Sequence, residues 1–194
     1  MKNKTFKEIA VPALMLFIIA AICTALLAGT NLVTKDKIAQ LAIEAENAAK
    51  AAVFEADTFS DAKTISLDSG DYLYYEAYAE NGKDVIGYVF NVTTKSYGGA
   101  LTCMVGISLD DEKVTGVEIT SINDTPGLGM KAKGEDFLNQ FIGKADGVSV
   151  NKSSASDTEI KAITGATISS QAVTDAVNTA FKVFSQVKAG AENG

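Results

Sequence analysis

Through the last quarter of the chain, apolar residues fall at Ala172, Val173, Ala176, Val177, Ala180, Phe181, Phe184 and Val187. This is the spacing of one buried helical face, and it predicts a helix opening near Ile168. At the other end, Ile9 to Thr34 carries no charge over 26 residues. As a helix it would extend about 39 Å at roughly 1.5 Å per residue. A bilayer core needs about 20 apolar residues, so the segment predicts one retained membrane span. Pro12 fits a first helical turn there. A cleaved signal peptide has a shorter apolar core, about 7–15 residues. From Lys35 to Glu55 the sequence is rich in Ala, Glu and Lys, with Ile38, Leu41, Ala42, Ala45, Ala48, Ala49 and Ala52 along one face. It predicts a helical continuation, either packed through its small residues or standing solvated.

From Asp57 onward the periodicity shortens to that of strands. Tyr72 to Tyr78 and Val85 to Thr94 read as strands joined at an Asn81-Gly82 turn, the second with the alternation of a half-buried edge. Tyr97-Gly98-Gly99 breaks the run. Leu101 to Leu109 and Val114 to Ile119 follow, separated by Asp110-Asp111-Glu112-Lys113. That acidic turn lacks the oxygen spacing of a calcium loop and reads as a hairpin tip. Glu135 to Ile142 predicts a short helix ended by Gly143, Asn151 to Thr158 a Ser-rich loop, and Glu159 to Ile163 a short strand. Gly190 to Gly194 reads as a frayed tail. The expected divisions are a tail and anchor (1–34), a helical stalk (35–56), an extracytoplasmic domain (57–190) and a tail (191–194).

Composition removes several kinds of chemistry. The chain has no His, no Arg and no Trp. Without His, a Ser-His-Asp triad, a Cys-His pair and the common zinc sites are excluded. Of the two Cys, Cys23 lies in the apolar run, behind Ile22 where a lipoprotein acylation site needs a small residue. Cys103 stands alone beyond it, which excludes an intramolecular disulfide or a self-contained iron–sulfur site there. Any redox role therefore requires an organic cofactor. Residues 35–194 hold 14 Lys against 23 acidic residues, a balance of −9, which argues against a nucleic-acid partner. Lys2, Lys4 and Lys7 precede the apolar segment, while Lys35 and Lys37 follow it beside Asp36. The positive-inside rule then places the N-terminus in the cytoplasm and the rest outside.

The candidate chemistry gathers at Ile163-Thr164-Gly165-Ala166-Thr167-Ile168-Ser169-Ser170, a turn of small and hydroxyl-bearing residues entering the C-terminal helix. Gly165 permits a sharp bend, and Thr167 stands where free N–H groups of a helix start favour an anion, phosphate above all. The same residues fit an ordinary Thr N-cap, and spacing alone favours that plainer role. A second stretch is Thr125-Pro126-Gly127-Leu128-Gly129. Pro126 fixes one dihedral, Gly127 and Gly129 permit close backbone approach to a flat ligand, and Leu128 is presented outward as an apolar lid. A plain Pro-Gly turn is the simpler account. Lys131 and Lys133 follow closely and could neutralise the negative charge of a bound ligand, although most exposed lysines serve no such purpose.

Thr164-Gly165-Ala166-Thr167 resembles the Ser/Thr-Gly-Ala-Thr motif of FMN-binding domains that attach FMN covalently. The second stretch is similar to their Glu-Thr-Pro-Gly-Leu-Gly motif. With the membrane segment, the resemblance points to the RnfG family, the G subunits of Rnf ion-translocating electron-transport complexes. The next nearest are the C subunits of the sodium-pumping NADH:quinone reductases. The resemblance covers nearly the whole chain. Two positions depart from the pattern: Lys161 stands where the family usually has Asp, and Asp124 replaces the Glu.

The resemblance implies an α+β fold: a transmembrane helix and helical stalk, then a mixed, largely antiparallel β-sheet FMN-binding domain with packed helices. It implies FMN esterified through its phosphate to Thr167, with Thr164, Gly165, Ala166, Ser169, Thr125, Gly127 and Leu128 positioning the flavin. It also implies a separate magnesium-dependent flavin transferase and the other Rnf subunits as partners. The whole complex would couple ferredoxin:NAD⁺ oxidoreduction to Na⁺ or H⁺ translocation. This chain has no nicotinamide fingerprint and no cysteine cluster, so the entry sites and ion path belong to other subunits. The competing readings are the quinone-reductase counterpart, an anchored scaffold without redox chemistry, and a free-standing FMN reductase.

Overall fold

The computed structural model describes the backbone of residues 2–67, 70–80 and 82–192, with side chains from Ala10 to Gly190 within those ranges. The chain divides into two compact units, Met1–Glu44 and Ala45–Gly194.

The first unit is helical and belongs to α1, Lys2–Val53. Its apolar side chains, among them Leu16, Phe17, Leu26 and Leu27, are exposed. Such a surface is at home in lipid rather than water. This is one N-terminal helix long and apolar enough to cross a membrane. Pro12 lies inside the helix and not in its first turn, because helical backbone begins ten residues earlier. A span tolerates the lost hydrogen bond where local adjustments satisfy the freed carbonyl. Lys2, Lys4 and Lys7, which carry the orientation argument, have side chains outside the described residues.

The second unit opens with the last turns of α1. Of the small-residue face, only Ala49 is buried, joined by Lys50, Val53 and Phe54. They pack on one face of a six-stranded antiparallel sheet, where Tyr75, Ala77, Val89 and Met104 complete a small core. The strands are β1 (Thr58–Phe59), β2 (Lys63–Leu67), β3 (Gly70–Tyr78), β4 (Val85–Ser96), β5 (Gly99–Ser108) and β6 (Val114–Ser121). Their order is β1-β3-β4-β5-β6, with β2 paired to the other part of the β3 edge. Register shifts in β5–β6 mark bulges, which bend and twist a strand pair.

β4 is therefore a central strand, not the half-buried edge its alternation suggests. Gly87 to Phe90 is buried at every position because both faces are covered. Val89 faces the end of α1, while Tyr88, Phe90 and Val92 face the larger core. That core is closed by α3 (Thr167–Glu192), which buries Val173, Val177, Phe181 and Phe184 as its periodicity predicts. Each such side chain contributes about 1.5–3 kcal/mol of hydrophobic stabilisation. Thr94 Oγ1 donates to Ala172 O at 2.9 Å, fixing the helix along β4. The helix continues through Glu192, so the tail from Gly190 is helical at its start; Asn193 and Gly194 lie outside the described residues.

Between β6 and α3, a 3₁₀ turn (Gly129–Lys133), α2 (Glu135–Leu138) and a further 3₁₀ turn (Asn139–Phe141) bury Ala132, Phe137 and Phe141. The helix expected over 135–142 is thus broken in two before Gly143. β7 (Ser149–Asn151) and β8 (Glu159–Lys161) form a small parallel pair. Residues 110–113 connect β5 to β6 as a hairpin tip, and no metal-holding cluster occurs among the described residues. The expected Asn81-Gly82 turn falls on Asn81, which lies outside the described residues; the Gly82 N–H donates to Ala79 O at 2.8 Å.

Candidate functional site

The turn before α3 is built by its own small residues. Ala166 N–H donates to Ile163 O at 2.9 Å, and Gly165 sits at φ +80°, a left-handed conformation that glycine adopts without penalty. Ser170 Oγ accepts from Ile163 N–H and donates to Ala166 O, both at 3.0 Å, which staples the turn to the helix it precedes. The first intrahelical bond runs from Ser170 N–H to Ala166 O, so Ala166 is the N-cap. Thr167 is thus the first residue of the helix and not its cap. Alanine offers no side-chain acceptor, and the initial N–H groups are left to whatever approaches the helix start.

The second motif folds back on itself. Leu128 N–H donates to Thr125 O at 3.2 Å, and Gly127 has φ +79°, as position i+2 of a type II turn after Pro126 demands. Leu128 then points out, 46% exposed, and reaches the other motif: a Cβ on Gly165 would lie 3.3 Å from Leu128 Cδ2. The tip of the β4–β5 hairpin, Tyr97-Gly98, forms the third wall.

Together these walls enclose a cleft of about 440 Å³, lined by Tyr97, Asp124, Thr125, Leu128, Gly129 and the residues Gly165 to Ser169. Of the expected site residues, Thr125, Leu128, Gly165, Ala166, Thr167 and Ser169 line it. Gly127 does not, its task being the turn, and Thr164 is exposed outside it. Lys131 and Lys133 are exposed away from the lining, as is Lys161. Gly129 serves packing more than ligand approach, since a Cβ there would lie 2.6 Å from both Asp124 Oδ2 and Ser169 Oγ.

Three lining residues escape the sequence reading. Tyr97 looks like part of a strand break, Ile168 like the first core residue of the helix, and Asp124 like a shortened motif position. Tyr97 and Ile168 are 71% and 56% exposed, forming an apolar rim with Leu128. Asp124 is buried and accepts from Ser96 Oγ and Ser169 Oγ at 2.5 Å and from Gly98 N–H at 2.6 Å. Burial disfavours its charge, but these three bonds outweigh that and hold the carboxyl below the usual carboxylate range. The signal available in sequence is its place immediately before the Thr-Pro-Gly-Leu-Gly turn.

The residues present suit FMN. The volume lies within the roughly 300–1,000 Å³ of small-molecule sites. Three exposed apolar side chains offer contact to a flat ring, and a helix start without a side-chain cap offers N–H groups and a hydroxyl to a phosphate.

A curled antiparallel sheet backed by a long helix, with a cleft at that helix's start, is the framework of an FMN-binding domain. The model of the FMN-binding domain family matches residues 96–182, and that of the RnfG N-terminal region matches residues 1–53. The chain is 36% identical over 186 residues to the G subunit of the Na⁺-translocating ferredoxin:NAD⁺ oxidoreductase complex of Acetobacterium woodii, covering 88% of this chain and 89% of that one. It is 35% identical over 157 residues to the proton-translocating counterpart of Clostridium ljungdahlii, covering 80% of each. The crystal structure of Shewanella oneidensis NqrC shares the fold, with a TM-score of 0.52 at 20% identity over 73% of this chain and 74% of that one. The chain belongs to the RnfG family, the G subunits of the Rnf-type ion-translocating oxidoreductase complexes.

Proposed function

We infer that this chain is a membrane-anchored flavin carrier that holds FMN covalently through the Thr167 hydroxyl and relays electrons within an Rnf-type complex. The observation that carries this reading is the placement of Thr167: it lines the cleft as the first residue of α3, behind an Ala166 N-cap that has no side-chain acceptor, and shares that lining with Tyr97, Leu128 and Ile168. Bound there, FMN supplies transfer of one or two electrons. The protein's part is to hold and shield it. Leu128, Tyr97 and Ile168 cover apolar surface and exclude water, the helix start receives phosphate charge, and the ester removes the need for an Arg clamp.

A threonine hydroxyl is a poor nucleophile and needs a neighbouring base. The one carboxylate lining the cleft, Asp124, is occupied by Ser96, Ser169 and Gly98 and makes no bond to Thr167. The chain therefore depends on a separate flavin transferase. The redox partners, the ferredoxin and NAD⁺ sites and the path for Na⁺ or H⁺ reside in other subunits, and the C-terminal domain stands on the extracytoplasmic side.

Intact-mass measurement of the full chain, co-produced with a flavin transferase, tests this reading. The expected result is an added FMN phosphoryl mass that survives denaturation and is lost in Thr167→Ala. A wild-type chain that stays unmodified under those conditions while assembling normally would make it an anchored scaffold instead.

A further inference from the structure

Three segments distant in sequence form the walls of the cleft, and one buried side chain joins them. Asp124 begins the Thr125–Gly129 turn. Its Oδ2 accepts from Ser96 Oγ at the base of the β4–β5 tip and from Ser169 Oγ in the first turn of α3, both at 2.5 Å. Its Oδ1 accepts from Gly98 N–H within that tip at 2.6 Å. The partners stand 28, 45 and 26 residues away in sequence. We propose that Asp124 is the positioning residue of this cleft: its carboxylate fixes the hairpin tip and the start of α3 against the Thr125–Gly129 turn, and so sets where the Thr167 hydroxyl is presented. The proposal rests on the reading of Thr167 as the attachment residue.

Other contacts near the cleft do different work. Ser170 staples the Ile163–Ala166 turn internally, which shapes the turn but does not locate it relative to the other walls. Thr94 ties β4 to Ala172, a full turn beyond Ser169 in α3. Among the described residues, the Ser169–Asp124 bond is the side-chain hydrogen bond that links the Thr125–Gly129 segment to the helix. Its geometry is tightly bounded. A Cβ on Gly98 would lie 2.1 Å from Asn123 O and 2.9 Å from Asp124 Cα, and one on Gly129 would lie 2.5 Å from Asp124 Cβ. Gly98 in the hairpin tip and Gly129 in the turn thus leave room for the close approach of this aspartate. Charge-assisted bonds to a buried carboxylate are short and strong, which suits a part that must hold three segments in one register. Thr167 is two residues from Ser169, so a shift of that turn moves the hydroxyl with it.

The test uses the full chain co-produced with a flavin transferase, for limited times, with Ser169→Ala, Asp124→Ala and Asp124→Asn. Modified fraction is read by intact mass, and the setting of the bound flavin by its visible circular dichroism, well below each variant's melting temperature. Ser169→Ala removes the link to α3 while leaving Thr167 and helix propensity intact. Misplacement by about 1 Å costs reactions on the order of a hundredfold. The early modified fraction is accordingly expected to drop by roughly tenfold or more in Ser169→Ala and Asp124→Ala, with an altered flavin dichroism in what is modified. Asp124→Asn keeps the shape and can pair with the same hydroxyls but loses the charge that strengthens those bonds, so it is expected to restore part of what Asp124→Ala loses and to fall between that variant and wild type. Should Asp124→Ala fail to fold, Ser169→Ala decides the matter alone. Wild-type rates and dichroism in Ser169→Ala would overturn the proposal. A wild-type chain left unmodified would instead overturn the attachment reading beneath it.

Discussion

Gly129 has no room for a methyl group. A Cβ there would meet Asp124 Cβ at 2.5 Å and two polar oxygens at 2.6 Å. Overpacking of this kind costs about 1–3 kcal/mol. Gly129→Ala is expected to lower the urea midpoint accordingly, with an unchanged m-value. The neighbouring carboxylate makes a second residue-scale prediction. Asp124 titrates below its ordinary value in the folded chain, so its contribution is complete above the unfolded carboxyl pKa, about 3.9, and is lost as pH falls through the lower folded value. Glu76 behaves alike: burial opposes its charge, but hydrogen bonds from Lys63 and Tyr78 prevail and lower its pKa. Asp124→Asn should therefore shallow the acid limb of a stability–pH curve without abolishing it. A limb of unchanged steepness would show that the carboxyl titrates normally. The local sequence marks this residue by its place before the Thr-Pro-Gly-Leu-Gly turn, but its role stays hidden because its hydroxyl partners, Ser96 and Ser169, lie 28 and 45 positions away and serines are common. The turn before α3 is legible for the opposite reason: Thr164 to Thr167 and the helix that follows are contiguous.

At the scale of elements, the end of α1 is part of the folded domain. Lys50 is buried, paired with Glu46 at 3.2 Å and placed 4.4 Å from the centre of the Tyr75 ring. Val53 rests on bare backbone, since Cβ atoms on Gly106 and Gly116 would lie 2.4 and 2.7 Å from its atoms, and Thr115 Oγ1 donates to Val53 O at 2.6 Å. A fragment starting at Asp57 would expose the seat of Val53 and Phe54. Relative to a fragment starting at Ala45 it should lose at least about 2 kcal/mol, the value of one large buried apolar side chain, measured by urea unfolding of both. Equal midpoints would show the helix end to be a passive tether. Periodicity locates β3 to β6, β8 and the C-terminal helix, but it passes over β1, β2 and β7 and misplaces β4 as an edge. An edge and a central strand differ in what covers the second face, and here the cover comes from residues 49–54, more than thirty positions upstream. The stalk's small-residue stripe is equally ambiguous, since one of its seven positions, Ala49, is buried.

At the scale of the molecule, the disposition across the membrane can be read with thiol chemistry, because the native cysteines are silent for separate physical reasons. Cys103 is fully buried, and burial, with the charge of Glu118 adding to it, pushes its thiol far above the ordinary value. A polar maleimide needs an accessible thiolate and finds none there. Cys23 is exposed on the surface of α1, but within the apolar stretch where lipid would exclude a charged reagent. Labelling thus reports only a cysteine introduced on purpose. Lys152 is exposed in the loop after β7 and is not among the residues that line the cleft, so Lys152→Cys leaves that lining unchanged. If the C-terminal unit is outside, as proposed, Lys152→Cys should react with a membrane-impermeant maleimide in intact cells, whereas Asn3→Cys should react only after permeabilisation. The reverse pattern would place the flavin unit in the cytoplasm. It would also show that the modest lysine asymmetry around the span does not set its orientation.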